Sequence, residues 1–352
     1  SSAVDFALLK DGKLIELNKE VEDNKFSVGD IFVGKIRKSV PGLNASFVNV
    51  GHEKDGFLHY HDLGPKLPSL IKYIKQVSTG KNKDYLLKQF RYESDIEKDG
   101  NIADVLSPKQ TVLVQIVKEP ISTKGPRLSS EISLAGRFMV LMPFSDRVSI
   151  SQKIEDRAEK TRLKKLVQSI RPKGFGLIIR TVAEGQKVAA LDADIEQLLK
   201  RWKNLSIKLK QIDKYPTKVL SEINRSSSII RDIFDNNFTG IHVDDAEIQN
   251  EIKDYLEKIA PDKKSIVKLY DNHLPIFEKF GIERQIKSSF GKTVSMQKGA
   301  YLVIEHTEAL HVIDVNSGNR SNRSKSQEDT AMEVNLIAAS EIARQLRLRD
   351  MG

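Results

Sequence analysis

The sequence predicts an α+β protein of several domains, and three observations predict it. Its 352 residues exceed what one compact core organises, so two or more domains are expected. Up to about Lys118 it is rich in short β-branched runs parted by Gly, Pro and Asn. From Val219 onward, helical and strand-like segments alternate.

The elements follow in order. Val4–Leu8 and Leu14–Leu17 flank Lys10-Asp11-Gly12-Lys13, whose Asp-Gly pair suits the tight turn of a β-hairpin. IFVGKIR (31–37), ASFVNV (45–50) and QTVLVQIVK (110–118) read as strands of a small barrel. The long interruption 63–107 carries Leu67, Leu70, Ile71 and Ile74 at helical spacing, and Lys72, Lys75, Lys81, Lys83, Lys88 and Arg91 to meet an anion. LAGRFMVLMP (134–143) is a strand candidate, 155–170 a basic amphipathic helix, and GFGLIIRT (174–181) a buried strand. A helix over 189–212 places Leu191, Ile195, Leu198, Leu199 and Trp202 on one face, and Trp202 reads as a core anchor. SSIIRDIF (227–234) leads to a strand at 240–243, then a helix at 246–259 stops before Pro261 and a strand follows at 266–270. Two helical pieces lie between Pro275 and Phe290, and a hairpin spans 301–305 and 311–315. The final helix is capped by Ser326 with Asp329 at the box position, and Met332, Leu336, Ala339, Ala343 and Leu346 make its expected buried stripe. It runs to Gly352 in a C-cap position with nothing following, which reads as the cut end of a longer protein.

Composition narrows the function classes. The chain is 39% hydrophobic and 30% charged, with a net charge of +9. A basic balance favours a polyanionic partner, because Lys and Arg release counterions condensed on phosphates. No run approaches the roughly 20 apolar residues that span a bilayer, and residues 1–20 hold no signal-peptide core. Cysteine is absent, which excludes disulfides and thiolate zinc sites within these residues and fits a cytoplasmic protein.

The chemistry-bearing motifs are few. Phe47 in GLNASFVNVG and Phe57 in DGFL lie on successive β segments, placed either to fill the barrel or to stack unpaired bases on its face. Lys124 in KGPR is either a linker cation or a phosphate contact. Arg180 and Thr181 end an apolar strand, and with free backbone N–H groups near Gly136 and Val140 they would complete an anion pocket; the alternative is a strand-end charge. In HVIDVNSGNR, Asp314 and Asn316 are two positions apart and share one strand face, while Ile313 and Val315 face the core. An Asp carboxylate beside an Asn amide suits Mg²⁺, which prefers oxygen ligands and keeps several waters. Glu305 is undecided by its place in the chain, and His59, His61, His306 and His311 are given no role.

Taken together these residues carry a family resemblance. EALHVIDVNSG (308–318) and EDTAMEVNLIAASEIARQLRLRDMG (328–352) resemble the catalytic region of the RNase E/RNase G endoribonucleases, and the run EIARQLRLRD (341–350) is highly specific to them. SLAGRFMVLMP and GLIIRT resemble that family's 5′-sensor region. The block from Val28-Gly29-Asp30 through Gly34-Lys35-Ile36 to Gly56-Phe57-Leu58 resembles the S1 domain, an OB-fold that binds single-stranded RNA.

The resemblance implies an RNase H-like subdomain from 1–30 and 217–288, an S1 domain over 31–125 with a basic insertion at 63–107, a 5′-sensor region over 126–216, and a DNase I-like catalytic subdomain over 289–352. It implies Mg²⁺-dependent hydrolysis of single-stranded RNA in messenger RNA decay and in ribosomal or transfer RNA processing, by a metal-activated water that leaves a 5′-phosphate. Asp314 would be a Mg²⁺ ligand and Asn316 the amide that orients the phosphate. Phe47, Phe57 and Lys124 would grip the RNA, and Arg180 and Thr181, with backbone near Gly136 and Val140, would hold a stimulating 5′-monophosphate. The family's second Mg²⁺-binding aspartate, another sensor arginine and the zinc link that joins protomers would lie past Gly352. Hence these residues are expected to bind RNA and cut it poorly, and the full-length protein to be a homo-oligomer. The loop after Asn316 is one residue longer than the family pattern, which leaves Arg320 and Arg323 without an assigned role. The rival expectations are an RNA-binding module without chemistry and an assembly scaffold.

Overall fold

The structure, a computed structural model, describes residues 3–21, 26–81, 85–121, 124–221, 229–231, 233–234, 237–308, 310–318 and 327–351. Two compact units are present: Lys25–Ile241 with Ala246–Lys268, and Ser1–Asn24 with His242–Asp245 and Leu269–Gly352. Among the described residues no helix is long and apolar enough to cross a membrane.

In the hairpin of the second of these units, β1 (Ala3–Lys10) pairs with β2 (Lys13–Val21) around Asp11-Gly12, both at positive φ as the tight turn demands. In the larger unit β3 (Ile31–Val40), β4 (Ala45–Asn49), β5 (Gly56–His59), β6 (Thr111–Lys118) and β7 (Arg127–Ser129) close into a five-stranded barrel. Closure comes from antiparallel β3–β4, β4–β5, β6–β7 and β3–β6 ladders and one parallel β5–β7 pairing. This is the OB-like barrel that the S1 resemblance implied. Strand alternation sends Phe32, Ile36, Val48, Leu58, Val112, Val114, Ile116 and Leu128 inward to one core. Ile31, Val33 and Leu113 point outward into a second core, so β3 opens on a continuous apolar run because both its faces are covered.

Helix α1 (Leu67–Ser78) lies in the insertion and joins those two cores. Its Leu67 sits with the barrel core, while Leu70, Tyr73, Ile74 and Val77 sit in the neighbouring one. Two of the insertion's lysines are used locally, Lys72 by Glu93 and Lys66 by Asp95. Lys83 lies outside the described residues.

The second core fills the space between a four-stranded sheet and its helices. The sheet comprises β8 (Leu134–Ala135), β9 (Met139–Pro143), β10 (Val148–Ile150) and β11 (Phe175–Ile179), in the order β10-β11-β9-β8. Thus LAGRFMVLMP is two strands and not one. The chain reverses at 136–138, where Gly136 N–H donates to Met139 O at 2.8 Å. Helices α2 (Arg157–Ile170) and α3 (Val188–Lys210) cover this sheet. Trp202 on α3 is fully buried, as its spacing predicted, with Nε1–H donating to Tyr85 O at 2.8 Å. The unit continues through β12 (Thr217–Leu220), which pairs with β3. Further along the chain come β13 (Ile241–Val243), α4 (Ala246–Ile259) and β14 (Val267–Leu269). Of SSIIRDIF (227–234), residues 229–231, 233 and 234 are described, and Ile230, Arg231 and Phe234 are buried.

In the smaller unit, α5 (Ile282–Ser289) precedes the sheet β15 (Thr293–Ser295), β16 (Tyr301–His306) and β17 (His311–Asn316), and α6 (Gln327–Leu348) follows it. Val294, Leu302 and Ile304 of the sheet pack on Ala338 of α6, with Ile313 and Ile342 alongside. The expected buried stripe of α6 is wrong by a helix face. Met332 and Leu336 are 67% and 66% exposed, and Ala339, Ala343 and Leu346 are exposed too, whereas Val334, Ala338, Gln345 and Leu348 are buried. Both rows repeat at four and three residues, so periodicity does not choose between them. The buried row wins although it contains a glutamine, because Gln345 donates to Glu341 at 3.0 Å and accepts from Arg349 at 2.7 Å. The Ser326 cap and Gly352 lie outside the described residues.

That polar row explains the arginine-rich run. Arg344 donates to Leu14 O in the N-terminal hairpin at 2.7 Å, and Arg347 pairs with Glu16. Arg349 donates to Ser289 O and Gly291 O at 2.7 and 2.6 Å. Together with the Leu14–Ile282–Leu348 cluster, α6 therefore ties the hairpin and the α5–β15 corner into one unit.

Candidate functional site

Each cluster of candidate residues sits within a single unit. On the barrel, pairing register sets four side chains in one row across β3, β4, β5 and β7: Lys38 faces Phe47, Phe47 faces Phe57, and Phe57 faces Arg127. Phe47 and Phe57 meet edge to face at 5.8 Å and are half-buried, whereas the barrel interior is filled by other side chains. The choice left open by the sequence therefore falls on the barrel's outer face. Lys38 Nζ stands 5.2 Å from the Phe47 ring centroid, and Arg127 is held by Asp62 at 3.0 Å. Two aromatic faces between two cations are an arrangement with the chemistry to stack bases and pair phosphates.

Lys124 is exposed and its backbone bridges to Ile121, three residues before Arg127. Phe57 N–H donates to Pro126 O at 2.8 Å, which fixes the Lys124–Pro126 segment against β5. Sequence reasoning gave His59 and His61 no place, yet their rings continue from Phe57, at 6.4 Å to His59 and 5.1 Å from His59 to His61. His59 Nδ1 accepts the His61 N–H at 3.2 Å, which fixes the neutral ring as its Nε2–H tautomer. Alternation along β5 was the available signal for His59, two residues after Phe57, whereas His61 lies past the strand in the turn Tyr60–Asp62. Phe57→Ala is expected to weaken binding of a single-stranded oligoribonucleotide by about 1–3 kcal/mol, read by fluorescence anisotropy; unchanged affinity would place the RNA elsewhere.

In the four-stranded sheet, Arg180 and Thr181 follow β11, and Arg180 donates through Nη1 to Gly136 O at 2.9 Å. Thr181 Oγ1 lies 2.9 Å from Ser151 Oγ, which follows β10, so two hydroxyls meet at the carboxyl ends of parallel strands. Val140 lies in β9 opposite Ala135 and Ile178. The expectation of free N–H groups beside Gly136 fails. Gly136 N–H is used by Met139 O, and those of Arg137, Phe138 and Met139 are all taken by the Asp194 carboxylate at 2.9–3.0 Å. Burial pushes the Asp194 carboxyl up, against the three N–H donors and the Arg180 charge that pull it down. Asp194 was missed because a lone acid in an amphipathic helix carries no signal until the helix is docked.

On β17 of the smaller unit, Asp314 faces Val303 and Asn316 faces Tyr301. Both share the sheet face opposite α6, open to solvent, and Asn316 Nδ2 donates to Asp314 Oδ2 at 2.9 Å. Ile313 faces the core as expected, while Val315 stays exposed. Glu305 faces Val312 on the same open face and is ion-paired to Lys292. His306 and His311 pair across the hairpin with Nδ1 atoms 2.6 Å apart. Arg320 and Arg323 lie outside the described residues. Among the described residues no group of three or more His, Cys, Asp or Glu is arranged to hold a metal. What Asp314 and Asn316 offer is a single exposed carboxylate beside an amide. That donor set suits a hard cation retaining most of its own waters, and not a closed transition-metal site.

Comparison with known proteins agrees with the resemblance. Residues 133–352 match the ribonuclease E/G family. The chain is 33% identical over 348 residues to ribonuclease G of Haemophilus influenzae, covering 98% of this chain and 66% of that protein. It is 36% identical over 333 residues to ribonuclease E of Nostoc sp., covering 92% of this chain and 44% of that protein. Ribonuclease G of Escherichia coli is 31% identical over 347 residues, with coverage of 98% and 66%. The chain thus spans about two thirds of the ribonuclease G relatives and less than half of the ribonuclease E relative.

Proposed function

This chain belongs to the ribonuclease E/G family, and we propose on that footing that it is the RNA-binding and catalytic portion of a Mg²⁺-dependent endoribonuclease. Its substrate is single-stranded RNA, cut to leave a 5′-phosphate, in RNA processing and decay. The observation that carries the reading is the Asp314–Asn316 pair, presented at 2.9 Å on a solvent-open sheet face.

Asp314 would hold the Mg²⁺ and Asn316 would orient the scissile phosphate, its amide already fixed by the hydrogen bond to Asp314. When bound, the metal supplies an activated water and neutralises charge on the phosphodiester. The chain's own residues do the rest. Phe47 and Phe57 stack bases, Lys38, Lys124 and Arg127 meet phosphates, and Arg180 with Thr181 takes a 5′-terminal phosphate that raises the rate. On this reading the β15–β17 sheet with α6 belongs to a DNase I-like subdomain, and the N-terminal hairpin to an RNase H-like one.

The test is incubation of single-stranded RNA with the full-length protein and Mg²⁺, followed by mapping of the product ends. Cleavage that needs Mg²⁺ and leaves 5′-phosphates is expected; 5′-hydroxyl products or metal-independent cleavage would overturn the reading. Residues 1–352 taken alone are expected to bind the same RNA and cut it slowly, since the reading assigns them one metal-binding carboxylate. A second reading, an RNA-binding module without chemistry, is favoured by the aromatic row on the barrel, which needs no metal. It predicts RNA binding with no cleavage by the full-length protein.

A further inference from the structure

We propose that Asp194 and Arg201 on α3 are positioning residues that hold the Ala135–Met139 loop in the shape that reads a 5′-terminal phosphate on RNA. The proposal rests on the reading of Arg180 and Thr181 as the phosphate contacts.

Asp194 and Arg201 are seven residues apart, two turns along α3, and so share one face of the helix. That face meets the loop with complementary chemistry. Asp194 accepts the three consecutive N–H groups of Arg137, Phe138 and Met139 at 3.0, 2.9 and 3.0 Å. Arg201 donates through Nη1 to Ala135 O at 2.9 Å, and Arg231 reaches the same oxygen at 3.4 Å. The helix therefore grips the loop by its donors and by its acceptors.

Gly136 is part of the same fit. A Cβ at that position would lie 2.6 and 2.7 Å from the two Asp194 carboxylate oxygens, so the close approach of that carboxylate requires a glycine there.

Arg180 inherits its position from this loop. Its Nη1 donates to Gly136 O at 2.9 Å and its own N–H to Phe138 O at 2.8 Å. Gly136 O, which holds the guanidinium, and Phe138 O, which holds the Arg180 backbone, thus lie in the loop whose Arg137, Phe138 and Met139 N–H groups Asp194 fixes. If the loop shifts, Arg180 loses both of these hydrogen bonds, and its alignment to Thr181 and Ser151 changes.

The experiment compares two oligoribonucleotides, identical except for a 5′-monophosphate or a 5′-hydroxyl, on the full-length protein. The quantity read is the ratio of their kcat/KM values, which a general loss of folded protein does not change. The wild type is expected to prefer the monophosphate. Asp194→Asn keeps the shape but presents an amide N–H₂ to the loop's donors, and is expected to lower the ratio by about tenfold, mainly through KM. Arg201→Gln carries the same expectation, with Arg201→Lys recovering part of the ratio, and decides the matter if Asp194→Asn does not fold. Asp192→Asn, exposed on the same helix, should keep the wild-type ratio. If Arg180→Ala collapses the ratio while Asp194→Asn and Arg201→Gln both keep it, the positioning role is refuted and the phosphate reading stands. If the wild type shows no preference, the phosphate reading falls and takes this one with it.

Discussion

Asp314→Ala in the full-length protein is expected to lower RNA cleavage by at least about a hundredfold, because it removes the carboxylate that would anchor the metal. Asp314 is exposed and, among the described residues, accepts a side-chain hydrogen bond from Asn316, so the substitution leaves no buried donor stranded and no core disturbed. Thermal unfolding and RNA affinity should stay near wild type, since the aromatic row lies on the barrel. Glu305→Ala makes the comparison informative. That carboxylate lies on the same sheet face but is engaged by Lys292, so its loss should cost little activity. Equal damage from both substitutions would mean that the open face works as an undifferentiated acidic surface. Near-normal cleavage by Asp314→Ala would remove the assignment of the metal site altogether.

Trp202→Ala is expected to destabilise the larger unit by about 3–5 kcal/mol, the usual cost of emptying a fully buried aromatic site. The ring stacks on Tyr73 at 5.5 Å, meets Phe144 and Phe175 edge-on at 6.0 and 6.1 Å, and spends its N–H on Tyr85 O. It therefore pins the insertion helix and the four-stranded sheet to α3 at once. The chain has one tryptophan, so unfolding has to be followed by circular dichroism in denaturant and not by indole fluorescence. A loss below about 1 kcal/mol would mean that the site collapses on itself and that the aromatic cluster is redundant.

The strong periodic segments were legible. Trp202 shares its spacing with Leu191, Ile195 and Leu198, and all four are buried. The barrel strands show as β-branched runs bounded by Gly, Pro and Asn, and Asp314 and Asn316 share one face because strand geometry allows nothing else. Less legible was α6, where two rows of equal period competed. Gln345 finds its partners one turn to either side along the same segment, Glu341 and Arg349, so the choice between the rows came from the sheet and hairpin that pack on the helix. The loop at 135–139 was misread for a related reason. Its N–H groups look free when the segment is read by itself, and they are claimed by a residue more than fifty positions away.

By itself the sequence determined the family, the α+β class and the residue types that carry the chemistry, because short-range period and motif are written in neighbouring letters. The tertiary structure decided which aromatic side chains face outward, which face of α6 is covered, and which donors around Gly136 are already spoken for. Those depend on the docking of distant segments, as at Gly136, where the docked helix supplies the acceptor for three consecutive buried N–H groups. No local pattern can encode that choice.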